Sequence, residues 1–320
     1  MKNKSITKAV SILLISLIIL DAVFISCFIV TGEYSSSITV DKEGCILSSD
    51  EGVRILVLSD LQGSNYIEMS WAFSAAKETV RRARPDLILT TGDNFGNNIE
   101  RHHLDAFIRF MDSFGLPWGV VFGNHDYNVS FTMEEYCEAL ESSENGIFYS
   151  LPINGSYSNY SYLLNIGGED ILSLIFMDNA DSAFTKEHIS WYEETVLSNK
   201  DKDGAPLESL VFFHRPLDES VLAADAYSKN KSIGSGEIAD EVRCDGGEVS
   251  LFEKAAELGS TRAMFYGHDH RNSAHISYRG IELCYALKTG ITVYFKPGSL
   301  GGVVIDIGSS GNYEIGRVYI

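Results

Sequence analysis

The sequence is poor in cysteine, and its cysteines are not arranged as those of a zinc knuckle. It contains five cysteines in 320 residues, and no two of them have C-x-x-C spacing. This wide spacing argues against a structural zinc site. The four cysteines beyond residue 31 can form one or two disulfides in an exported protein or remain buried thiols; they are Cys45, Cys137, Cys244 and Cys284.

Basic residues are also scarce. Acidic residues outnumber them 44 to 25, which gives a formal net charge of −19. Broad binding to nucleic acid or to an anionic lipid surface requires clustered Lys and Arg, so neither is expected. An anionic substrate would need a local source of positive charge, and bound cations are one such source. The 45% of hydrophobic residues is enough to bury a full core.

One long apolar run is present, close to the N-terminus. Ala9–Val30 is interrupted only by serines, one cysteine and Asp21, and as a helix it would span about 33 Å, close to the ~30 Å of a hydrocarbon core. Lysines precede it and acidic residues follow it, which predicts an uncleaved cell-membrane anchor with the rest of the chain on the extracytoplasmic side. A mid-membrane carboxylate costs roughly 3 kcal/mol. A cleaved signal with a core of Ser11–Leu20, giving a secreted protein, and a lipid-modified Cys27 therefore remain alternatives.

The chain accordingly divides into three parts. Residues 1–31 are the anchor or signal segment. Residues 32–51 are rich in Ser, Gly and charge and predict a tether. Residues 52–320 are expected to form the folded domain.

From Val53 onward, short apolar runs alternate with helical patterns. The periodicity predicts a helix over Tyr66–Ala83, ended by Pro85, and another over Ile99–Phe114, and a capping box at Thr132 begins a third. Continuous apolar strands separated by helices predict a sheet covered on both faces. Since the second half is richer in strands, we expect an α/β fold of two packed sheets with helices outside. The predicted strands are 53–59, 86–92, 118–123, 147–153, 160–167, 170–179, 209–214, 263–268, 275–286, 302–308 and 313–320.

Side chains of metal-ligand type follow five of these strands. The first strand ends at Asp60 in "VLSDLQGS", and the second ends at Asp93 in "TTGDNFGNN". The later strands end in Asn124, His125 and Asp126 of "FGNHDYN", His214 of "VFFHRP", and His268 and His270 of "MFYGHDH". Ligands of α/β sheets bind outside the carboxyl ends of the strands, so these side chains are expected to converge.

The donor types favour a pair of metal ions. Carboxylate, imidazole and amide oxygen without thiolate favour Mn, Fe or Zn over Cu(I) or an iron–sulfur cluster. Asp93 is the natural bridging ligand, because a carboxylate can bridge two ions and this one ends the middle of the first three strands. His268 and His270 are two positions apart, so on one strand both would point to the same face and each would serve one ion.

The blocks "SDLQ", "GDN", "GNHD" and "GHDH", with the lone His214, resemble in order the five motifs of the calcineurin-like metallophosphoesterases. "TGDNFG", "GHDHRN" and "YRGIELCYALKTG" are most similar to the purple acid phosphatase-type branch. The resemblance covers Val53 to the C-terminus. It implies a four-layer α/β/β/α sandwich of two mixed β-sheets flanked by helices. It also implies hydrolysis of phosphomonoesters or phosphodiesters by a bridging hydroxide at a dinuclear centre of Fe, Mn or Zn.

The resemblance further implies a role for each ligand-type side chain. Its six metal ligands are shared between two ions, with Asp93 bridging: Asp60, Asp93 and His270 on one ion, and Asp93, Asn124, His214 and His268 on the other. His125 would contact the phosphate and protonate the leaving oxygen. Asp126 would hold the His125 imidazole in the required tautomer.

The sequence departs from the family pattern at Gln62. Most relatives have a ligating histidine there, and the purple acid phosphatases instead use a tyrosine from the second block, which "GDNFG" lacks. A glutamine oxygen is a weaker, neutral ligand, so Gln62 is predicted to contact the first ion directly or through water. The alternative function is a catalytically weakened binding or scaffold module. The polar insertion Leu217–Gly247 is a candidate lid, and nothing in its composition selects a particular phosphoester.

Overall fold

The structure, a computed structural model, describes residues 34–180, 183–244 and 246–320. Its helices are α1 (Tyr66–Ala83), α2 (Arg101–Asp112), α3 (Met133–Glu141), α4 (Lys186–Ser198), α5 (Asp218–Lys229) and α6 (Leu251–Leu258). Its strands are β1 (Thr39–Asp41), β2 (Ile46–Ser49), β3 (Val53–Leu58), β4 (Leu87–Thr91), β5 (Trp118–Val121), β6 (Tyr160–Ile166), β7 (Glu169–Phe176), β8 (Glu208–Phe212), β9 (Gly234–Ser235), β10 (Thr261–Tyr266), β11 (His275–Tyr278), β12 (Ile281–Tyr285), β13 (Gly301–Ile307) and β14 (Tyr313–Tyr319). These elements form two mixed sheets with helices, which confirms the predicted mixed α/β architecture.

The smaller sheet has five strands in the order β14-β13-β3-β4-β5. Strands β3, β4 and β5 are parallel, whereas β13 pairs antiparallel with both β3 and β14. Parallel neighbours require crossover connections, and α1 and α2 supply them. Strand β4 is buried along its whole length, as a strand covered on both faces must be.

The predicted helix boundaries follow the capping residues. Asn65 caps the first turn of α1, and the helix ends at Ala83, followed by its C-cap Arg84, which adopts a left-handed conformation just before Pro85. The prediction for Tyr66–Ala83 is therefore confirmed. Thr132 and Glu135 form the reciprocal capping box at the start of α3, also as predicted.

The larger sheet has nine strands in the order β1-β2-β6-β7-β8-β10-β12-β11-β9. Alternate side chains of its central strands enter two different cores, as a period of two requires. Leu210 and Phe212 of β8 pack in the core shared with the five-stranded sheet. Val211 and Phe213 pack instead with α4, α5 and α6. The inner face of this sheet therefore meets the other sheet, and its outer face is covered by helices.

The predicted tether, residues 32–51, contains two short strands. Thr39–Asp41 and Ile46–Ser49 are strands β1 and β2, and β2 pairs in parallel with β6. These strands are short and largely polar, so their pattern is weak, although Leu47 is fully buried. The predicted anchor, residues 1–31, lies outside the described residues. None of the helices in the described part of the chain is long and apolar enough to cross a bilayer.

Two further expectations change in the structure. Residues 147–153 form no strand and make a single isolated bridge, at Ile153; Pro152 lacks the N–H that a ladder needs at that position. The insertion Leu217–Gly247 contains helix α5 in its first third. The four cysteines among the described residues are free thiols, and Cys137 and Cys284 are buried.

The two sheets are joined next to the predicted site. Ser59, which follows β3, pairs with Lys288, which follows β12 in the other sheet. The N–H of Thr289 also donates to the carbonyl of Ser59 at 2.8 Å. This link brings the ends of strands from both sheets to one place.

Candidate metal centre

The first two predicted ligands lie on adjacent, strained turns. Asp60 and Asp93 each come two residues after their strand, and the N–H of Asp60 donates to Gly92 O at 3.0 Å while the N–H of Gln62 donates to Asp93 O at 3.1 Å. Asp60, Gln62, Asp93 and His268 all have positive φ, between 50° and 72°. A non-glycine residue held there costs on the order of 1–3 kcal/mol, and such residues cluster at functional sites.

Two glycines allow the ligand loops to approach one another. A Cβ on Gly92, whose φ is +94°, would lie 2.5 Å from Nδ1 of His214. A Cβ on Gly123 would lie 2.1 Å from the backbone N of Asp93. These contacts are the physical reason for glycine in "GDN" and "GNHD".

Asp93 is the centre of the cluster. Its Oδ1 accepts the backbone N–H of His125 at 2.9 Å and lies 3.4 Å from Nε2 of His214. Its Oδ2 accepts from the side-chain amide of Gln62 at 2.7 Å. One potential ligand atom from each of Asp60, Asp93 and His214 lies within 4.8 Å of the other two. The structure therefore brings together carboxylates of one sheet and an imidazole of the other.

The three histidines present nitrogen atoms to this cluster. Nδ1 of His214 contacts the carbonyl of Thr91 at 2.8 Å, so the ring directs Nε2 inward, 3.3 Å from Nδ1 of His268. Nδ1 of His270 contacts the carbonyl of Tyr294 at 3.1 Å, and its Nε2 lies 3.2 Å from Oδ1 of Asp60. Carbonyl partners of this kind orient an imidazole for metal binding through its other nitrogen.

The prediction that His268 and His270 lie on one strand and point to the same face is wrong. Strand β10 ends at Tyr266, and both histidines lie in the following loop. The left-handed backbone of His268, with φ of 72°, turns the chain between them. His268 consequently reaches His214, whereas His270 reaches Asp60. The two rings still contact different parts of the cluster, and the conformation of the loop, not the alternation of side chains along a strand, is the reason.

The donors fit metal ions. Oδ1 of Asn124 is buried, with no hydrogen-bond partner among the described residues, and a buried orphan acceptor requires an explanation such as an ion or a water. Asn124 directly precedes His125, whose backbone N–H donates a hydrogen bond to Oδ1 of Asp93. Together with the carboxylates and imidazoles, this is the oxygen and nitrogen donor set that Mn, Fe and Zn accept.

Burial disfavours the charged forms of the titratable groups in this cluster, and the charges of neighbouring groups oppose that effect on each pKa. Burial by itself would lower the pKa of His214. The nearby carboxylates of Asp93 and Asp60 outweigh that effect and raise the pKa to about 9. Burial raises the pKa of Asp60, but His270 and His214 hold it well below its ordinary value. Burial lowers the pKa of Lys288 to about 8 against the attraction of the two carboxylates. The two buried carboxylates are thus stabilised by nearby positive charge, and bound metal ions would supply such charge.

Asp126 does not contact the His125 ring, contrary to the role that the resemblance implied. Its carboxylate instead accepts three backbone N–H bonds and one side-chain bond, from Gly123, Phe95 and Asn94. These bonds tie the loop after β4 to the loop after β5. Asp126 is therefore a support for the ligand loops, because its oxygens are fully engaged there.

Sequence reasoning missed several residues that hold the site. Asn97 contacts Nδ1 of His125 through its Oδ1 at 2.9 Å, and it lies in "TTGDNFGNN", so its position just after a ligand was a usable signal. Tyr294 had no such signal, and Lys288 lies in "YRGIELCYALKTG" but its contact with Gln62, 226 residues away, could not be read from that string. Contacts of this kind depend on how the two sheets pack.

Comparison with known proteins agrees with this geometry. Residues 53–272 match the calcineurin-like phosphoesterase family. The chain is 28% identical over 266 residues to probable inactive purple acid phosphatase 14 of Arabidopsis thaliana, covering 70% of this chain and 63% of that protein. It is 24% identical to the uncharacterized metallophosphoesterase YkuE of Bacillus subtilis, covering 66% and 64%. The chain thus spans less than two thirds of the length of these relatives.

A solved structure has the same fold. A dimetal phosphatase from Danio rerio superposes with a TM-score of 0.50 at 13% identity, covering 84% of this chain and 99% of that one. At this identity the likeness shows the fold alone. Because the family match extends over well more than half of the sequence and includes all of the ligand loops described above, the chain belongs to the calcineurin-like phosphoesterase family.

Proposed function

We propose that the chain is a metal-dependent hydrolase of phosphomonoesters or phosphodiesters, built on the four-layer α/β/β/α sandwich of its family. The observation that carries this proposal is the convergence of Asp60, Asp93 and His214, whose ligand atoms lie within 4.8 Å of one another. These residues follow strands of two different sheets, so the cluster exists only in the folded chain. Its donors suit two ions of Fe, Mn or Zn.

Two groups of residues would hold the ions, with Asp93 common to both: Asp60, Asp93 and His270, and Asp93, Asn124, His214 and His268. When bound, such a metal pair supplies an acidified water as nucleophile and neutralises charge on the phosphoryl oxygens. In a chain of net charge −19, the pair also supplies the positive field that an anionic substrate needs.

In this proposal His125 protonates the leaving oxygen. Its side chain is 33% exposed, and Nε2 lies 3.9 Å from Oδ2 of Asp93, at the edge of the cluster. Its Nδ1 is engaged by Asn97 at 2.9 Å, so the proton that it delivers to substrate is carried on Nε2. Asn97 therefore performs the orienting role first expected of Asp126.

The test is hydrolysis of p-nitrophenyl phosphate and of bis-p-nitrophenyl phosphate by the full chain, after loading with Mn²⁺, Fe²⁺ or Zn²⁺. We expect about two metal equivalents per chain and turnover of at least one ester. His214→Ala should lower turnover by more than about 100-fold, because it removes a ligand. His102→Ala, at a partly exposed ring on α2, is the matched control and should keep wild-type turnover. Two bound ions without turnover of either ester or of a broader phosphoester panel would contradict the proposal.

A second candidate is a scaffold module of the same fold. Two observations favour it: relatives carry the name probable inactive purple acid phosphatase, and Gln62 replaces the histidine typical of the first motif. This candidate predicts about one metal equivalent and no turnover under any of the three loading conditions. Metal analysis and the two ester assays therefore separate the candidates in one preparation.

We also propose that residues 1–31 anchor the protein in the cell membrane, with the domain on the extracytoplasmic side. Lysines before the apolar run and acidic residues after it support this orientation. Protease added to intact cells should remove the domain while a cytoplasmic marker survives. Recovery of the whole protein in the soluble cytoplasmic fraction would refute the anchor.

A further inference from the structure

Gln62 lies between a group that only donates and a group that only accepts hydrogen bonds. The ammonium of Lys288 donates to Oε1 of Gln62 at 2.9 Å, and Nε2 of Gln62 donates to Oδ2 of Asp93 at 2.7 Å. An ammonium has no acceptor and a carboxylate has no donor. Because the two partners have opposite requirements, only one orientation of the amide satisfies both.

This three-residue chain is buried and anchored at both ends. The exposed fractions of Gln62, Lys288 and Asp93 are 2%, 1% and 1%. Lys288 also donates to the backbone carbonyl of Asp60 at 2.9 Å, and its own backbone pairs with Ser59. The lysine is therefore held by the same backbone link that joins the two sheets.

Gln62 has no lone pair well placed for a cation. Its Nε2 has none, and its Oε1 already accepts from Lys288. A metal ion on the remaining lone pair of Oε1 would lie beside the Lys288 ammonium, and like charges repel strongly in a buried site. The residue in the position of the family's first-motif histidine is thus arranged to bind the ligand Asp93 and not the metal.

We propose that Lys288 and Gln62 form a positioning pair that fixes Oδ2 of Asp93, and that Gln62 is not itself a metal ligand. With Oδ2 held by Gln62, Oδ1 is directed toward Nε2 of His214, 3.4 Å away. The buried ammonium also offsets part of the negative charge of Asp60 and Asp93. This inference rests on the proposed metal centre but not on its turnover.

The test measures Mn²⁺ affinity of the metal-free full chain by calorimetry or chelator competition. Gln62→Met and Lys288→Met should each weaken binding about 10- to 100-fold, the usual effect of losing an outer-shell partner of a ligand. The double variant should bind Mn²⁺ at least as tightly as the single variant with the lower affinity, because residues that act as a unit give non-additive losses. Lys254→Met is the control, because Lys254 pairs with Glu193 and Glu257 away from the site; it should bind Mn²⁺ like the wild type.

Gln62→Glu distinguishes a positioning residue from a ligand. A carboxylate is a stronger metal ligand than an amide, so affinity should rise if Gln62 coordinates the ion. If Gln62 positions Asp93, the new carboxylate oxygen faces Oδ2 of Asp93 across the present 2.7 Å contact, and affinity should fall. This variant keeps the size of Gln62 and a partner for Lys288, so it decides the question even if Lys288→Met fails to fold.

Three results would overturn the proposal: tighter Mn²⁺ binding by Gln62→Glu, affinity within twofold of wild type in Lys288→Met, or fully additive losses in the double variant. Near-UV circular dichroism of each variant shows whether it is folded. Since these measurements use binding alone, a chain that positions its metal ligands but turns over no ester would refute the proposed function and leave this inference standing.

Discussion

Replacing Gly123 with alanine tests how closely the ligand loops must approach. Gly123 precedes Asn124, a proposed metal ligand, and its φ is not in the left-handed region, so the effect of the substitution is steric. The added Cβ would lie 2.1 Å from the backbone N of Asp93 and 2.3 Å from its Oδ1. Real Cβ contacts essentially never fall below 3.0 Å, so the loops must separate by about 0.9 Å.

The expected magnitude follows from that displacement. Forcing a methyl group into a packed interior typically costs about 1–3 kcal/mol, which lowers Tm by roughly 2–12 °C at about 2–4 °C per kcal/mol. A 1 Å misplacement of a catalytic group costs on the order of 100-fold in rate. We therefore expect Gly123→Ala to be folded, modestly destabilised, and impaired about 100-fold in turnover of its preferred ester.

The assay compares thermal melting, Mn²⁺ affinity and turnover in Gly123→Ala and in Gly316→Ala. Gly316 lies in β14, where no described atom is within 4 Å of an added Cβ, so the control should keep all three properties. A folded Gly123→Ala with metal affinity and turnover within twofold of wild type would refute the claim that contact between these two loops sets the position of Asp93.

Two further predictions concern supports outside the metal ligands. Asp126→Asn should lower the free energy of unfolding by about 2–3 kcal/mol in urea titration, because one amide oxygen replaces two acceptors and its NH₂ would face a backbone N–H; an unchanged midpoint would contradict the loop-support role. Burial lowers the pKa of His188, against weaker opposing effects of Asp178 and Glu187. The unfolded chain therefore binds more protons between that lowered pKa and the ordinary 6.5, and stability is lost as pH falls through this window. His188→Gln should lose less stability than wild type between pH 7.5 and pH 5.5, and equal losses would contradict the prediction.

Much of the candidate site was predictable because its proposed ligands follow strong strand patterns. Strands β3, β4 and β5 are short apolar runs, and in a parallel sheet their carboxyl ends share one edge. Asp60 and Asp93 each come two residues after one of these strands. The positions of these carboxylates were therefore readable from the chain alone, as was helix α1 with its end before Pro85.

The roles of the supporting residues were not predictable in this way. Asp126 is next to His125 in the chain, yet it bonds to Gly123, Phe95 and Asn94, because the two residues lie in a turn and their side chains need not share a direction. Strands β1 and β2 were not predicted for a related reason: short polar strands have little periodicity, and β6, which pairs with β2, lies far along the chain.

The amino-acid sequence by itself determined which chemical groups end the strands, and hence the donor set and the family. Only the tertiary structure decided which group each donor meets. Lys288 and Gln62 are 226 residues apart, and their contact exists because two sheets meet at Ser59. The physical reason is one of scale: strand and helix patterns specify elements, whereas a hydrogen bond depends on ångström distances that packing between sheets sets.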